Sequence, residues 1–476
     1  MPNSVFEKNK VSPTSSEVTT RTNSTTESEF KVYGERWLML ITITSIIWSN
    51  IMQWVAYSAL IDQTNMYYCG PDGFKGCTSA FLSNQIYQVV AMIVSVIGMY
   101  CATIFGILPT LRIAALTNLL GSIIRLIASI PTIQSFVLRQ SLMLTGTAVS
   151  AIAQMYFVVS SKVAESWFFA KHRASANVAC SNSMELGVVV GTFLPSLILP
   201  SNSNESIIHS WSFFVLNSIL SAVCIIPMIL TLISRRSLPK TPPSLSSEHE
   251  CDMSVTTGIW ICLKNPQFLI QSVIYAINYA IANGLIYTSN AINYQGYDLK
   301  GYPIAIATAV CIVIAYVVGI IADKTRKFKE ITIINVIVMA LTVLGLRLYL
   351  IKTYTGWYDS VVVCSLLSLA MSTCSVHTPI GNEMGVETTF PVHESISTGV
   401  LNTFGQAWLF AFYFILYALQ DSTILYSDNK KPGENWEIAL DFWVAIAIFN
   451  AIVAVFLLRP KYNRLMLENE REEERK

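Results

Sequence analysis

Two charged residues lie in the middle of long apolar stretches of this sequence. Glu185 stands in the segment NSMELGVVVG, and Arg125 stands in GSIIRLIAS. A charge inside a membrane-spanning helix is costly, so it usually faces the protein interior or an opposite charge. One interpretation is that Glu185 attracts a cation or carries a proton. The other is that Glu185 and Arg125 form a structural ion pair, and the sequence leaves both interpretations open.

An acidic residue followed by a run of cations forms a second candidate group. The segment GIIADKTRKFKE carries Asp323 and, three residues later, Arg326. An acid at a helix end can bind basic groups or a helix N-terminus across a loop, which would hold one conformation of the protein. The alternative is simple positive charge beside a membrane, but that would not require Asp323. We therefore predict that Asp323 and Arg326 act as a conformational latch.

Catalytic chemistry has little support in the sequence. It contains no nucleophile elbow, no Gly-rich phosphate loop and no metal-binding cluster, and its five histidines lack the spacing of axial haem ligands. The net charge of +1 gives no basic surface for nucleic acid. The sequence therefore predicts a protein that is not an enzyme, that has no cofactor and no metal site, and that binds no nucleic acid.

Roughly a dozen apolar stretches must position these residues, each about as long as the 20 residues that cross a bilayer. Hydrophobic residues make up 53% of the chain and charged residues only 13%, whereas soluble proteins contain about 25% charged residues. Backbone groups in lipid must bond within their own segment, so the stretches are expected to be helices. The prediction is an all-α membrane protein with 12 transmembrane helices, near residues 37–60, 84–108, 111–131, 141–161, 176–200, 211–233, 268–293, 302–321, 329–351, 358–380, 396–419 and 436–458.

The longest polar segment between these stretches divides them into two sets of six. It contains SRRSLPKTPPSLSSEHE, whose prolines, serines and charges are typical of a flexible linker. The polar, Ser/Thr-rich N-terminus and the C-terminal ENEREEERK are expected to be a disordered tail and a solvated charged tail. The predicted organisation is a tail, a six-helix half, a central loop, a second six-helix half and a charged tail, at residues 1–34, 35–233, 234–267, 268–458 and 459–476.

Lysine and arginine are distributed unevenly between the two sides of these stretches. Placing the N-terminus in the cytosol puts most of them there, including Arg235, Arg236 and Lys324. Cytosolic loops carry an excess of Lys and Arg, so both termini are expected to be cytosolic. The opposite loops hold few cations, among them Lys75 and Lys352.

This orientation places the segment YYCGPDGFKGC on the outside. Its residues Cys69 and Cys77 flank a Gly/Pro/Asp turn and could close as a disulfide in an oxidising compartment, or they could remain two free thiols. The sequon at Asn204 also lies outside and is a candidate for glycosylation, whereas the sequon at Asn23 would be cytosolic and unused.

Two sets of six stretches with a long central loop are typical of the Major Facilitator Superfamily. The Asp323 segment resembles its loop signature G-x-x-x-D-x-x-x-R/K, although the equivalent place GILPTLRIAA in the first half lacks the acid. A closer resemblance covers most of the membrane region. The chain resembles the feline leukaemia virus subgroup C receptor-related transporters in its segments ERWLMLITITSIIWSNIMQWVAYSAL, AQMYFVVSSKVAESWF, GTFLPSLILP, ADKTRKFK and ETTFPVHESISTGVLNTFGQ.

This resemblance implies a substrate site built from aromatic side chains and amides. The matching residues here are Trp54, Gln154, Tyr287 and Gln406, with Trp54 as a wall that holds a quaternary ammonium through its aromatic face. Without the resemblance, Trp54 and Tyr287 would be taken as aromatic residues of the membrane interface. The two glutamines would be taken as hydrogen-bonding contacts between helices.

The resemblance also implies the function. We expect an alternating-access transporter of choline or ethanolamine, with haem or another organic solute as the alternative. A membrane receptor or sensor on the same scaffold is the alternative from another class. The expected partners are a small-molecule substrate and the lipid bilayer, the expected state is a monomer, and the expected location is the plasma membrane, with an endomembrane as the alternative.

Overall fold

The computed structural model describes residues 33–58, 61–70, 78–169, 172–199, 208–241, 253–294, 302–351, 356–419 and 437–466, with the backbone alone for 62, 208–210, 285–294, 302–309, 374 and 417. Within these ranges the regular structure is helical. Since lipid offers no hydrogen-bonding partners, a helix is the way for each apolar segment to satisfy its own backbone. The predicted all-α fold class is confirmed.

The described part of the first half contains eight helices and one 3₁₀ turn. In chain order they are α1 (Glu35–Ala56), α2 (Ile61–Cys69), α3 (Ser79–Ile104), α4 (Ile107–Ala128), α5 (Phe136–Ala151), the 3₁₀ turn Ile152–Met155, α6 (Tyr156–Trp167), α7 (Arg173–Ile198) and α8 (Ile208–Ile233).

The rest of the described chain contains α9 (Val255–Lys264), α10 (Pro266–Tyr294), α11 (Tyr302–Thr325), α12 (Phe328–Tyr349), α13 (Trp357–Thr389), α14 (Glu394–Leu419) and α15 (Glu437–Leu457). Helix α9 lies inside the segment that we predict as a flexible linker. It packs against the start of α14 so closely that a side chain at Gly258 would meet Ile396.

Ten spans among the described residues are long and apolar enough to cross a membrane, with α5, the 3₁₀ turn and α6 forming one of them. The two other predicted spans coincide with α10 and α11, which are 29 and 24 residues long. The described helices thus agree with the predicted positions, while the full number of 12 stays a prediction.

The helices pack as two groups that meet along two seams. In the first half α1 packs on α7, and α4 packs on α5 and α8. In the second half α13 packs on α11 and α12, and α10 packs on α14. The halves meet where α3 packs on α14 and where α7 packs on α11 and α13.

The contact between α4 and α5 shows how tightly the helices approach. A side chain at Gly121 would clash with the backbone of Ser150, and one at Gly146 would lie 2.9 Å from the carbonyl oxygen of Gly121. Small residues let helix backbones come close where lipid provides no hydrophobic drive for association. This contact fixes the position of the helix that leads into the 3₁₀ turn.

The chain beyond α15 is not wholly the solvated tail that we predict. Arg464 is only 3% exposed. Its guanidinium binds Glu383 and Glu387 of α13 at 2.8 Å each and Glu394 of α14 at 2.5 Å. Since these carboxylates surround one cation, the first part of the tail is fixed to the second half.

Candidate functional site

Trp54 lies near the end of α1 and faces the interior of the first half. Its side chain is 5% exposed. The indole N–H donates to Asn84 Oδ1 of α3 at 2.5 Å, and the ring stacks on Tyr87 with a centroid distance of 5.9 Å and an interplanar angle of 18°. A membrane-interface tryptophan would present its ring to lipid headgroups. The burial of Trp54 therefore argues against that interpretation.

Gln154 lies where the fourth span departs from α-helical geometry. The 3₁₀ turn Ile152–Met155 interrupts the span between α5 and α6 and carries Gln154. A short 3₁₀ stretch inside a long helix often marks a functional hinge. The Gln154 side chain is 2% exposed and lies next to Tyr87. The irregular turn thus presents an amide to the same interior region as the Trp54 ring.

Gln406 of α14 links the two halves at this point. Its Nε2 donates to Gln154 Oε1 at 3.2 Å and to the Tyr279 hydroxyl of α10 at 3.2 Å. Its Oε1 is buried and has no hydrogen-bond partner among the described residues. A buried amide oxygen without a partner is unfavourable unless another group supplies a donor. Gln406 therefore has an acceptor free for a ligand.

We call Trp54, Tyr87, Gln154, Tyr279 and Gln406 the aromatic–amide box. It combines flat aromatic side chains with two amides and contains no charged residue. Aromatic faces attract cations, above all those that cannot donate hydrogen bonds. The amides offer donors and acceptors to a neutral polar group. The box is therefore suited to a small organic cation that also carries a hydroxyl group.

Three of the four predicted substrate-site residues are thus brought together. The fourth, Tyr287, lies in α10, but its side chain lies outside the described residues. Tyr279 supplies an aromatic hydroxyl from the same helix, eight residues earlier and about 12 Å along the helix axis, and the role of Tyr287 stays a prediction. Sequence reasoning missed Tyr279. The signal was available, because Tyr275 and Tyr279 are spaced to share one helix face, and their rings stack at 6.2 Å.

A buried polar network supports the part of the aromatic–amide box that belongs to the first half. The Tyr87 hydroxyl donates to Asn50 Oδ1, and Asn50 Nδ2 donates to Asn118 Oδ1 of α4 at 2.8 Å. Gln53, the neighbour of Trp54, donates to the same Asn118 oxygen at 2.9 Å. Connected polar networks of this kind rigidify a buried region. Tyr87 and the end of α1 are therefore held in place independently of any ligand.

Arg125 has a structural environment in the first half. It is 1% exposed, and its Nη1 donates to the Gln53 carbonyl oxygen at 2.8 Å. Its guanidinium lies 4.0 Å from the centroid of the Tyr57 ring. A cation near the last carbonyls of a helix is favourable, as is its contact with an aromatic face. Arg125 thus fastens α4 to the end of α1.

The structure does not bring Glu185 to Arg125. Both are described, and no ion pair joins them. Glu185 of α7 is 5% exposed and faces Ser375 of α13 and Cys311 of α11, across the boundary between the halves. Of the two interpretations that the sequence leaves open, the structural ion pair is not formed here.

Asp323 at the end of α11 binds the first turn of α7, which belongs to the other half. Its two carboxylate oxygens accept from the backbone N–H groups of Ala174 at 3.0 Å and Ser175 at 2.9 Å, and one also accepts from the Ser175 hydroxyl. A negative charge is favourable at a helix N-terminus. The contact therefore joins the halves in the manner that a latch requires.

Arg326 has a different position from the one we predict. It forms no ion pair with Asp323 in the described structure. Its backbone ends α11 with a positive φ of 55°, and its N–H donates to the Ala322 carbonyl at 2.9 Å. A left-handed residue is a common helix end. Asp323 thus makes the contact between the halves, and Arg326 ends the helix that carries it.

The remaining predicted sites fall largely outside the described residues. Cys69 is disulfide-bonded, but its predicted partner Cys77 lies outside the described residues. The glycosylation candidate Asn204 also lies outside them. Within the described part of the chain, no group of three His, Cys, Asp or Glu residues could hold a metal ion.

Comparison with known proteins decides the family. A family model described as Major Facilitator Superfamily matches residues 39–413. The chain belongs to the Major Facilitator Superfamily. Among solved structures it is similar to the proton:xylose symporter XylE of that superfamily, with a TM-score of 0.67 and 12% identity, covering 89% of this chain and 96% of that one. At this identity the similarity shows the fold alone.

Two curated relatives illustrate the closer similarity. Solute carrier family 49 member A3 of Xenopus tropicalis is 27% identical over 454 residues, which cover 92% of this chain and 90% of that protein. The choline/ethanolamine transporter FLVCR2 of Homo sapiens is 23% identical over 459 residues, which cover 94% of this chain and 82% of that protein. These findings confirm the resemblance to the feline leukaemia virus subgroup C receptor-related transporters.

Proposed function

We propose that this membrane transporter of the Major Facilitator Superfamily carries a small organic cation of the choline and ethanolamine type by alternating access. The observation that carries the proposal is the aromatic–amide box. Trp54, Tyr87 and Gln154 belong to the first half, whereas Tyr279 and Gln406 belong to the second. A site between two rocking halves is the arrangement that alternating access requires.

The chemistry of the box fits both ends of such a substrate. A quaternary ammonium has no N–H to donate, so the rings of Trp54, Tyr87 and Tyr279 are the suitable partners for it. The substrate hydroxyl can donate to Gln406 Oε1, which has no partner among the described residues. It can also accept from an amide N–H.

The contact between Gln154 and Gln406 gives a link between binding and movement. In this structure the two amides bind each other across the boundary between the halves at 3.2 Å. A substrate hydroxyl placed between them would take over part of these bonds. Binding would then change the contact that holds the halves together, as a ligand must do to shift a conformational equilibrium.

The setting of the transporter is part of the same proposal. We place it in the plasma membrane as a monomer with both termini in the cytosol. The uneven distribution of Lys and Arg in the sequence supports the cytosolic position of the termini. The structure adds that the contacts of Asp323 and Arg464 lie on the side where α7 begins and α15 ends. On this proposal that side is cytosolic.

The proposal is tested by choline binding to the purified, folded protein. A desolvated cation–π contact contributes about 2 kcal/mol, so Trp54→Ala should weaken choline binding by roughly thirtyfold. Trp54→Phe keeps a weaker aromatic face and should give an intermediate affinity. Trp211 of α8 is 63% exposed, so Trp211→Ala is the matched control and should bind choline as the unmodified protein does.

Three outcomes would contradict the proposal. One is an unmodified protein that binds neither choline nor ethanolamine. Another is a Trp54→Ala variant that binds choline with unchanged affinity, because the ring would then have no part in the site. The third is tight haem binding that choline does not displace, which would favour the alternative substrate. Thermal unfolding of each variant separates loss of binding from loss of folded protein.

A further inference from the structure

Glu185 is a carboxyl group inside a membrane span, and no described residue of opposite charge pairs with it. It is 5% exposed, and its neighbours across the boundary between the halves are Ser375 and Cys311. Ser375 Oγ is itself buried and has no hydrogen-bond partner among the described residues. Since intramembrane carboxyl groups are costly, they commonly mark ion or proton pathways.

Glu185 lies on helices that do not build the aromatic–amide box. The box uses α1, α3, the 3₁₀ turn, α10 and α14, whereas Glu185 lies on α7 and faces α11 and α13. The recorded neighbours of Glu185, Ser375 and Cys311, do not belong to the box. This position favours the interpretation that Glu185 carries a proton over the interpretation that it attracts the cationic substrate.

The carboxyl group stands at the inner end of a line of contacts that we call the α7 seam. From the start of α7 inward, Ser175 binds Asp323, Asn177 donates to Glu383 at 2.6 Å, and Asn182 donates to the Ile312 carbonyl at 3.3 Å. Glu185 follows one turn after Asn182. Each of these contacts joins the two halves, so the seam must part when the transporter opens on this side.

In the part of the chain that the structure describes, the titratable groups around α7 leave Glu185 without an ion-pair partner. On α13, Glu383 is bound by Asn177 and Arg464 about two turns of α7 away, and the His377 ring packs on Tyr275 of α10 at 5.5 Å. The other titratable side chains described on the helices packed against α7 are Cys311 beside Glu185, then Glu35, Arg36, Tyr156, Lys162, Glu165, Cys224, Tyr316, Asp323, Lys324, Tyr358, Asp359, Cys364 and Glu387. None of the cations among them forms an ion pair with Glu185.

These observations set the charge state of Glu185 in each conformation. With the α7 seam closed, an ionised carboxylate would be buried without a cation, so the closed seam favours the neutral acid. The neutral acid can donate its hydrogen to Ser375 Oγ, which lacks another partner. With the seam parted, water reaches the carboxyl group and the ionised form becomes favourable.

We propose that Glu185 is a proton-binding site of the transport cycle. Its carboxylate takes one proton from water as the α7 seam closes and returns that proton to water on the same side as the seam parts. No other bond forms or breaks. This proton site deepens the proposed function. It rests on the proposed substrate only in the uptake experiment, because the other measurements use no substrate.

The seam is measured directly, without substrate. Spin labels introduced by unnatural amino acids at Lys240 and Lys327 report the distance between the halves, because both residues are exposed and lie beyond α8 and α11 on the seam side. The ratio of closed to parted seam should fall with rising pH, by at most about tenfold per pH unit for a single proton. Glu185→Gln, which stays neutral, should remove this dependence and keep the seam closed.

A matched control and a second variant keep the test decisive. Glu330 is an exposed carboxyl group at the start of α12, so Glu330→Gln should keep the pH response of the unmodified protein. If Glu185→Gln does not fold, Ser375→Ala retains the carboxyl group and should move the midpoint of the response. An unmodified protein with no pH response would overturn the proposal, as would a Glu185→Gln variant with an unchanged one or a Ser375→Ala variant with an unmoved midpoint.

Uptake into proteoliposomes then separates this proposal from the proposed function. A change of pH on the seam side should change the rate of choline uptake by the unmodified protein, whereas the uptake rate of Glu185→Gln should not depend on that pH. A pH-dependent seam in a protein that binds no choline would refute choline as the substrate and still support the proton site. Choline binding that Glu185→Gln weakens, with an unchanged seam response, would assign Glu185 to substrate attraction and overturn the proton site.

Discussion

Asp323 should set the balance between the closed and parted α7 seam. In the closed seam its carboxylate accepts hydrogen bonds from the Ala174 and Ser175 backbone N–H groups at 3.0 and 2.9 Å, at the start of a helix of the other half. This contact is lost when the halves separate. Any substitution that weakens it should therefore destabilise the closed seam without altering the aromatic–amide box.

The structure allows the size of this effect to be worked out. A charge at a helix N-terminus contributes about 0.3–1 kcal/mol at an exposed site and up to about 2 kcal/mol when partly buried. Asp323→Asn keeps an oxygen acceptor but loses the charge. A loss of about 1–2 kcal/mol in the stability of the closed seam should lower the ratio of closed to parted seam roughly fivefold to thirtyfold. Asp323→Ala also leaves the two N–H groups without this acceptor and should shift the ratio further.

Spin-label distances between positions 240 and 327 measure this ratio, and substrate uptake measures its consequence. The maximal uptake rate of Asp323→Asn should change more than its substrate affinity, because Asp323 does not belong to the box. Lys324 is exposed and is the next residue in the chain, so Lys324→Gln is the matched control and should behave as the unmodified protein. Unchanged distances together with lost substrate affinity in a well-expressed Asp323→Asn protein would refute the reasoning.

The position of Asp323 shows what sequence alone could predict here. The loop signature indicates an acid able to reach a helix N-terminus, and in the structure that N-terminus is the start of α7. The partner itself lies 148 residues away in the chain, and no local pattern specifies it. The sequence predicts Arg326 in the same latch because it is a nearby cation, whereas backbone geometry at the end of α11 decides its position.

The helices themselves were predictable because a bilayer dictates their length and apolar character. Their inward faces were harder to predict, since apolar residues cover every side of a span. Buried amides mark the inner face in retrospect, as Asn50, Gln53 and Asn118 do in the first half. The 3₁₀ turn that carries Gln154 leaves no trace in hydropathy, and it is part of what brings that amide to Gln406.

Three further predictions concern topology and stability. Asn204 should carry a glycan and Asn23 should not, since the Lys and Arg distribution places them on opposite sides; an epitope at position 204 that antibody reaches only from the cytosol would contradict this topology. Gly121→Ala should lower the melting temperature, because the new carbon would clash with the backbone of the facing helix. Gly345→Ala should be tolerated, because its new carbon would meet its nearest neighbour at 3.7 Å; equal melting temperatures would refute the close packing. Arg464→Met should be more damaging than either, because it leaves three buried carboxylates without their cation, and removing one partner of a buried ion pair costs about 3–5 kcal/mol. Combining it with the corresponding Glu→Gln changes should restore part of the stability lost, as measured by thermal unfolding, because neutral amides do not require a buried cation; a combined variant no more stable than Arg464→Met alone would show that packing of the tail, rather than charge, accounts for the loss.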